Sequence, residues 1–501
     1  MKPQLTLRSC IERLREAGLL LAADGVSDNR IDGLTADSRE VGPSTAFVAI
    51  RGTSTDGHLF IDKAVSNGAT AIVCEAGPAA KLPGPASARE LSRLTVTDSR
   101  RAFLELASLI HGDPGRSLHV TAVTGTNGKT SIATLVHGVW HLQEDPCGLI
   151  GTTGIMDGRS FHPSTHTTPS PDRLMGWMDR MLEHGCTHVV MEASSHALDQ
   201  ARLRPEDTDV AVFTNLTRDH LDYHGSFDAY FLAKKRLFDA LSKQAVAITN
   251  TDDPRGQAIV ADTRASIVTV GQHGADVRFA IEEETLSGLR LTLDGDTRRY
   301  RLAGAYNGFN LAAAYAAARA GGLSRNEALD RLSGLGPVRG RFELIHAHDG
   351  RTVIIDYAHT PDALENVLRT TRTSLGDGRL WCLFGCGGDR DRGKRPQMGR
   401  LAEDLADRVV VTSDNPRSEA PEAILDDIRT GFDRPQDATW IVDRRAAIRH
   451  AIDALVPGDV LVLAGKGHET TQVLAGTTLH FDDREEARLA LGLASLDTHT
   501  G

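Results

Sequence analysis

Apolar and polar positions along this chain switch repeatedly between the two-residue period of strands and the 3.6-residue period of helices. The first segment, MKPQLTLRSCIERLREAGLLLAADG, has apolar residues at helical spacing broken by charges. Short apolar runs, AFVAIRG and ATAIVCE, then predict strands among helical segments up to about residue 97. A helix, SRRAFLELASLIHG, leads through DPGRS into the predicted strand LHVTAVTG. Strands THVVMEAS, VAVFTN and AVAITN follow, closed by the alanine-rich helix NLAAAYAAARAGG. A stretch rich in Gly, Pro and Arg, SGLGPVRGRFE, marks the next boundary. The last block repeats one theme: TVIIDYAH, LWCLFGCGGDRD, RVVVTSDNPR, TWIVD and DVLVLAGKGHE each set an apolar run before polar, charged or Gly residues. Such runs suit the buried strands of a parallel sheet, where ligands bind beyond the carboxyl ends. The pattern predicts an α/β fold in three domains, residues 1–97, 98–337 and 338–501. The last is Rossmann-like, with DYAH, GGDRD, SDNPR and GKGHE sharing one rim.

Composition narrows the function classes. At 501 residues, 40% hydrophobic and 25% charged, the chain is globular and too long for one core. A net charge of −11 argues against a general nucleic-acid binder, though not against a local basic pocket. The six cysteines, at 10, 74, 147, 186, 382 and 386, are too scattered for a disulfide framework. Cys382 and Cys386 are expected on a buried strand, since a metal site needs more ligands nearby. No secretion-signal pattern opens the sequence, and no apolar stretch approaches the roughly 20 residues of a membrane span. The expectation is a soluble, cytoplasmic monomer without membrane insertion.

The sharpest motif is VTAVTGTNGKTS, residues 120–131: a strand, a Gly-rich turn and the start of a helix. Gly125 and Gly128 let backbone N–H groups approach phosphate oxygens, and the helix N-terminus adds positive field. Lys129 reaches the β/γ-phosphates and the Thr130 hydroxyl binds Mg²⁺. Thr126, Asn127 and Ser131 complete the loop, giving a central P-loop ATPase-like domain. A standard Walker A loop carries Gly where this chain has Val123. The shortened G-T-N-G-K-T form resembles the Mur ligases and the folylpolyglutamate synthetases, ATP-dependent amide-forming enzymes acting on carboxylates.

The resemblance extends through all three blocks. VVMEASSHALDQARL carries Glu192 and Ser194, and FTNLTRDHLDYHGSFDAYFLAKKRLF carries His220 and Lys234. It implies two Mg²⁺ ions held by Thr130, Glu192, His220 and Lys234, the lysine carboxylated by CO₂ to N6-carboxylysine. A carbamate replaces a cation that would repel Mg²⁺ with an anion; the residues alone read Lys234 as a solvated member of the run Lys234-Lys235-Arg236. A zinc reading of His220 and His224, four apart on one helix face, lacks further ligands. GAYNGFN (Asn307, Asn310), RGRFE (Arg341) and DYAHTPDAL (Asp356, His359) match motifs that hold ATP in the family.

The N-terminal block separates the two families. Folylpolyglutamate synthetase begins near its phosphate loop, whereas about 120 residues precede it here. GLTADSREVGPSTAFVAIRGTSTDGH resembles the uridine-nucleotide domain of the Mur ligases, implying UDP contacts from Ala36, Ser38, Thr53, Ser54 and Thr55. THTTPSPD and SSHALDQAR imply muramoyl-peptide contacts from Thr167, Thr168, Ser194, Gln200 and Arg202. His166 stands where many relatives carry asparagine, and no contact is assigned to it.

The loop TSDNPRSE remains. An ordinary-loop reading makes Ser418 the N-cap of the next helix and Pro421 its first turn. Within the Mur ligases, D-N-P-R looks like the signature of members adding meso-diaminopimelate to UDP-N-acetylmuramoyl-L-alanyl-D-glutamate. That amino acid resembles lysine with a second amino-acid head. Arg417, expected to be a buried guanidinium, offers a planar fork matching a carboxylate bidentately. The resemblance counts Asp414, Asn415 and Pro416 with Arg417 as diaminopimelate-binding, Arg390 as holding a second carboxylate, and Gly465 and Glu469 as receiving the distal ammonium. The resemblance thus implies ATP as a substrate, with the UDP-muramoyl-dipeptide and diaminopimelate as the others, and Lys129, Lys234, Glu192 and His220 as catalytic residues. The alternatives are a lysine-adding ligase, a folylpolyglutamate synthetase-like ligase, and a P-loop switch that makes no bond, for which no N-K-x-D guanine motif is present.

Overall fold

The computed structural model describes residues 6–25, 29–52, 55–77, 91–141 and 146–494. The chain divides into two compact units, one of residues 1–122, 144–209 and 240–245, the other of residues 123–143, 210–239 and 246–501.

In the first unit, five strands lie in the order Leu20–Asp24, Ser92–Val96, Ala71–Glu75, Thr45–Val48, Gly33–Thr35. The first pair is antiparallel and the others parallel. Alternation explains why Thr45–Val48 is buried throughout. Ala46 and Val48 point into a core with helices Leu7–Glu16 and Ser99–Ile110, while Phe47 packs with Ile61 and Ala64 of helix Ile61–Ser66 on the other face. The Asp98 carboxylate caps Ser99–Ile110 by accepting the N–H groups of Arg100 and Arg101. Later in this unit, strands Cys147–Gly151 and His188–Glu192 pair in parallel, and Gly154–Asp157 returns antiparallel on the former.

In the second unit, strands Val210–Phe213, Val246–Asn250, Ser266–Gly271 and Val277–Thr285 run parallel in that order. Gly288–Leu293 and Asp296–Tyr300 extend the last as an antiparallel meander. The alanine-rich segment forms helix Tyr306–Ala320, buried from Asn307 to Ala318. A six-stranded sheet follows, in the order Glu343–His346, Thr352–Asp356, Val460–Ala464, Leu380–Phe384, Arg408–Val411, Thr439–Trp440. All its pairs but the first are parallel. Ile354, Cys382 and Val462 face one core and Val353, Leu383 and Leu461 the other, so these strands are the double-sided apolar runs that the sequence pattern predicts.

All six cysteines are buried and free. Cys382 lies on its strand as expected, whereas Cys386 falls two residues past the strand end at Phe384. Among the described residues no helix is long and apolar enough to cross a membrane.

One buried ion pair ties the C-terminal strand ends together. Arg444 donates through Nε and Nη2 to Asp483 at 2.7 and 2.6 Å, with both side chains fully buried. Arg444 Nη2 also reaches the Ala464 carbonyl oxygen, 3.1 Å away, and Nη1 that of Ser413 at 3.4 Å. Removing one partner strands the other charge, so Asp483→Asn is expected to lower stability by about 3–5 kcal/mol. Urea unfolding followed by far-UV circular dichroism checks this; a loss under about 1 kcal/mol, the scale of an exposed pair, contradicts it.

Candidate functional site

Strand His119–Thr124 delivers the chain to a turn that only glycine can make at two places. Gly125 has φ +147°, and a Cβ there would sit 1.8 Å from Thr214 Oγ1. Gly128 has φ +87°, and its Cβ would sit 2.8 Å from Asn310 Oδ1. The turn is held from below: Thr214 Oγ1 donates to the Asn127 carbonyl at 2.6 Å, and Asn127 N–H to Asn215 Oδ1 at 2.9 Å. Helix Lys129–His141 begins directly after Gly128, with Thr130 and Ser131 buried in its first turn.

Lys129 Nζ donates to the carbonyl oxygens of Gly125 and Thr126, at 2.9 and 2.8 Å. Lys234, on helix Phe227–Asp239, donates to the same Gly125 oxygen at 2.7 Å. Lys234 is therefore no solvated lysine; it is 1% exposed, with Nζ 4.6 Å from the centre of the Tyr230 ring. Burial, and then the nearby charge of Lys129, push its pKa well below the ordinary lysine value. Lys235 is buried too, paired with Asp239 and Asp262, leaving only Arg236 of that run exposed.

The other residues expected around the phosphate loop divide into near and indirect neighbours. Arg341 Nη2 donates to Thr130 Oγ1 at 3.1 Å, and its guanidinium lies 4.3 Å from the centre of the Tyr357 ring. Asn307 acts through Asn310: its Oδ1 accepts Asn310 Nδ2 at 2.8 Å, and Asn310 is the residue against Gly128. Asp356 shapes the loop that carries Arg341, accepting the N–H groups of Phe342 and Ala358, both at 2.7 Å. Burial raises the Asp356 pKa.

His220 has a left-handed backbone, φ +54°, and sits before the short helix Leu221–His224 instead of inside it. The His220 and His224 rings both pack on Tyr230, but among the described residues no third ligand joins them into the zinc site considered. The carboxylate beneath His220, Asp219, is a site residue that the sequence reading missed. It accepts the His220 N–H at 2.9 Å and lies 3.4 Å from His220 Nε2 and 3.9 Å from His359 Nε2. Burial favours its neutral form, but His220, His359 and Lys394 outweigh that and hold its pKa below the usual carboxylate range.

In the first unit, Glu192 ends a strand with its carboxylate buried, accepting Thr152 N–H at 2.7 Å and Thr152 Oγ1 at 3.1 Å. A Cβ at Gly151 would lie 2.5 Å from Glu192 Oε1, so the close approach depends on that glycine. Thr167 Oγ1 meets Thr152 Oγ1 at 2.9 Å, and Thr168 Oγ1 donates to the Glu192 carbonyl at 2.6 Å. The Ser194 N–H donates to Thr168 Oγ1, 3.2 Å away, and the Ser194 hydroxyl caps helix Ser195–Asp199. Arg202 donates to Gln200 Oε1 at 2.7 Å and to the Thr168 carbonyl at 2.9 Å. The structure thus gathers Thr167, Thr168, Ser194, Gln200 and Arg202 as one cluster. Ala36, Ser38 and Thr55 line a separate cavity of about 660 Å³, together with Phe60, Lys63 and Arg173, which the sequence reading passed over. Thr53 and Ser54 lie outside the described residues.

At the C-terminal sheet, Asp414, Asn415 and Pro416 are buried while Arg417 is half-buried, not buried as expected. Arg417 has φ +56°, a left-handed conformation that costs a non-glycine residue of order 1 kcal/mol. Its backbone is clamped on both sides: N–H donates to the Val473 oxygen at 3.1 Å, and its own oxygen accepts Ala475 N–H at 2.9 Å. Its Nη1 donates to the Gly388 carbonyl at 2.7 Å. Ser418 is not an N-cap; Ala420 precedes helix Pro421–Arg429, and the Ser418 hydroxyl donates to Asp389 Oδ1 at 2.7 Å. Arg390 is exposed on the facing loop. Glu469 Oε2 accepts Asn415 Nδ2 at 2.8 Å and lies 3.4 Å from Lys466 Nζ. Lys466, also missed, is fully buried and 3.5 Å from Asp414 Oδ1, so two carboxylates surround one ammonium. Burial, then Asp414, raise the Glu469 pKa. Gly465, φ +115°, lies against Asp414.

Three family profiles match: the Mur ligase family catalytic domain over residues 30–109, the Mur ligase middle domain over 123–318, and the Mur ligase glutamate ligase domain over 340–467. The UDP-N-acetylmuramoyl-L-alanyl-D-glutamate--2,6-diaminopimelate ligase of Parabacteroides distasonis is 43% identical over 489 residues, covering 97% of this chain and 98% of that protein. A solved structure of a ligase of the same name superposes with a TM-score of 0.66 at 33% identity, covering 98% of this chain and 99% of that one. Mycobacterium tuberculosis folylpolyglutamate synthase complexed with ADP shares the fold at TM-score 0.59 and 20% identity, over 73% of this chain and 91% of its own.

The state of Lys234 has a measurable consequence. At neutral pH the unfolded chain carries the ammonium and the folded chain disfavours it, so folding is opposed by proton release. Lys234→Met is expected to raise the thermal midpoint at pH 7. The gain fades as pH climbs towards the ordinary lysine value of 10.5, since above it both states are neutral. Differential scanning calorimetry from pH 7 to 10 in bicarbonate-free buffer reads this; a lower midpoint for the variant at pH 7 contradicts it.

Proposed function

We propose that this chain, which belongs to the Mur ligase family, adds meso-2,6-diaminopimelate to the D-glutamate γ-carboxylate of UDP-N-acetylmuramoyl-L-alanyl-D-glutamate, at the expense of ATP, in peptidoglycan precursor synthesis. One observation carries the choice of amino acid: a clamped backbone holds Arg417 in a left-handed conformation with its guanidinium only half-buried, free to add a carboxylate to the Gly388 contact. Diaminopimelate brings that carboxylate, and lysine does not. Arg390 on the facing loop serves the same head, and the Asp414, Glu469 and Lys466 group, rich in carboxylate, suits its ammonium.

The reaction follows from the parts. The γ-carboxylate oxygen attacks the γ-phosphorus of ATP, ADP leaves, and an acyl phosphate forms. The amine of diaminopimelate, having lost its proton, attacks the acyl carbon; inorganic phosphate leaves and an amide remains. Lys129 and the N–H groups of the Gly125–Gly128 turn hold the phosphates, with Thr126, Asn127, Thr130 and Ser131 completing the cradle. Arg341, Asn307 and Asp356 support the nucleotide from the C-terminal side of the same unit. The UDP end is assigned to Ala36, Ser38 and Thr55, and the muramoyl-peptide to the Thr167, Thr168, Ser194, Gln200 and Arg202 cluster. Residues 1–97, 98–337 and 338–501 are assigned chiefly to the UDP end, to ATP and to the amino acid, in a monomer working in the cytoplasm.

Two Mg²⁺ ions fit the donors present in the second unit: the Thr130 hydroxyl, His220, and Lys234 once carboxylated. Glu192 is the ligand that the resemblance assigns in the first unit. The ions would offset charge on the transferred phosphoryl group. The Lys234 environment supports carboxylation, because CO₂ reacts with a neutral amine and burial favours that form. A carbamate also keeps the N–H that donates to the Gly125 oxygen, while removing one of two cations beside it.

The test is phosphate release with the UDP-muramoyl-dipeptide, comparing meso-diaminopimelate, L-lysine and no amino acid. Release is expected with diaminopimelate, far more slowly with lysine, and not without an amino acid. For a half-buried arginine, a hydrogen-bonded charge contact of about 1.5–3 kcal/mol gives Arg417→Ala a loss of roughly ten- to a hundredfold in kcat/KM. Equal use of lysine, or an unchanged variant, would overturn the reading of this loop. In the same assay Lys234→Ala is expected to be inactive and partly restored by short carboxylic acids; failure of every acid, and of bicarbonate, counts against carboxylation.

A further inference from the structure

Two loops, residues 387–392 and 414–419, carry the two arginines assigned to the amino acid, and they are fastened to each other along their length. Gly388 N–H donates to the Asn415 oxygen at 2.9 Å, and a Cβ at Gly388 would lie 1.8 Å from the Pro416 oxygen. Asp389, itself left-handed at φ +54°, accepts Ser418 N–H at 3.2 Å and Ser418 Oγ at 2.7 Å. At Gly387 a Cβ would fall 2.9 Å from Arg417 Nη1 and 3.8 Å from Arg390 Cγ, so the two arginines flank one glycine.

Glu419 closes this arrangement. Its Oε1 accepts the Asp389 N–H at 2.6 Å and Arg395 Nη2 at 2.8 Å; its Oε2 accepts Arg392 Nη2 at 2.7 Å and Arg395 Nη1 at 3.1 Å. Arg395 is fully buried and also binds the Gly387 carbonyl at 3.2 Å and Asp427 at 2.7 Å. One carboxylate, at the end of the Arg417 loop, therefore holds the Arg390 loop through its backbone at Asp389, through Arg392 and through the buried Arg395.

We propose that Glu419 is a positioning residue that fixes Arg390 relative to Arg417, so that preference for an amino acid with a second carboxylate over lysine depends on a side chain assigned no contact with substrate. The inference rests on the reading above, in which those arginines receive diaminopimelate. The alternative is that Glu419 merely stabilises the sheet edge, and the two differ in which kinetic constant moves.

The experiment compares wild type, Glu419→Gln and Ser418→Ala in two assays: ligation with diaminopimelate and with lysine, and hydroxylamine trapping of the acyl phosphate without amino acid. Glu419→Gln keeps the size and removes the charge. Loosening the loops is expected to raise the KM for diaminopimelate roughly ten- to a hundredfold, to leave trapping unchanged, and to lower the diaminopimelate-to-lysine ratio of kcat/KM. Ser418→Ala, at an exposed position with one contact fewer, is expected to move the same constants the same way by less, and stands alone if Glu419→Gln does not fold. An unchanged KM, a proportional rise for both amino acids, or a fall in trapping would each overturn the proposal. Wild type that makes no diaminopimelate-dependent product would instead overturn the function proposed above, and is seen before any variant is made.

Discussion

The carbonyl oxygen of Gly125 accepts a hydrogen bond from two lysines, and much of the second unit is arranged around that fact. Two ammonium groups on one acceptor repel, and one of them is sealed from water. The protein resolves this by making Lys234 easy to leave uncharged: it is fully buried beside the charge of Lys129, and among the described residues its hydrogen bond goes to a carbonyl and not to a carboxylate. Lys129, half-buried at the helix start, donates to the Gly125 and Thr126 oxygens from the other side of the turn. Acidity is displaced to Asp219, which answers to His220, His359 and Lys394. The loop thus sits between a neutralisable lysine on one side and a carboxylate that stays ionised on the other.

The C-terminal sheet faces a different problem. Its parallel strands end together, so polar loops of different origin must be held in register where no ladder hydrogen bonds remain. Charged side chains do this from underneath. Arg444 with Asp483 ties the ends of strands Arg408–Val411 and Val460–Ala464 through carbonyl oxygens, and Arg395 with Glu419 ties the neighbouring pair. The exposed Arg390 on the rim donates to the Asp389 oxygen of its own loop, while the buried arginines beneath it are fixed by at least two partners each.

The strands, the phosphate turn and the strand-end rim were legible in the sequence because local pattern sets them. Double-sided strands read as unbroken apolar runs, and Gly125, Gly128 and Lys129 are dictated by a turn a few residues long. Lys234 was legible only through resemblance: from composition it belongs to a basic run, and only the fold shows two of its three members buried. Asp219, Lys466 and Arg395 escaped notice because their partners are distant or because a charge beside a motif looks like solvated surface. The left-handed backbone of His220 and Arg417 was invisible for a related reason, since neither residue type announces φ above zero and both are held by partners elsewhere. Ser418 looked like a helix cap for want of knowing that Asp389 lies across from it.

The six cysteines give the molecule a built-in set of reporters. Cys10 and Cys74 lie in the cores on the two faces of the N-terminal sheet, Cys147 on a strand of the middle region with Cys186 just before its neighbour, and Cys382 and Cys386 in one core of the C-terminal sheet. Burial pushes the thiols of Cys10, Cys382 and Cys386 up to about 12 and that of Cys186 to about 11, so the closed protein offers almost no thiolate. A thiol reagent can then enter a region only when that region opens. The order in which the three pairs become labelled is therefore a map of which part of the chain breathes first, written in chemistry that the protein already carries.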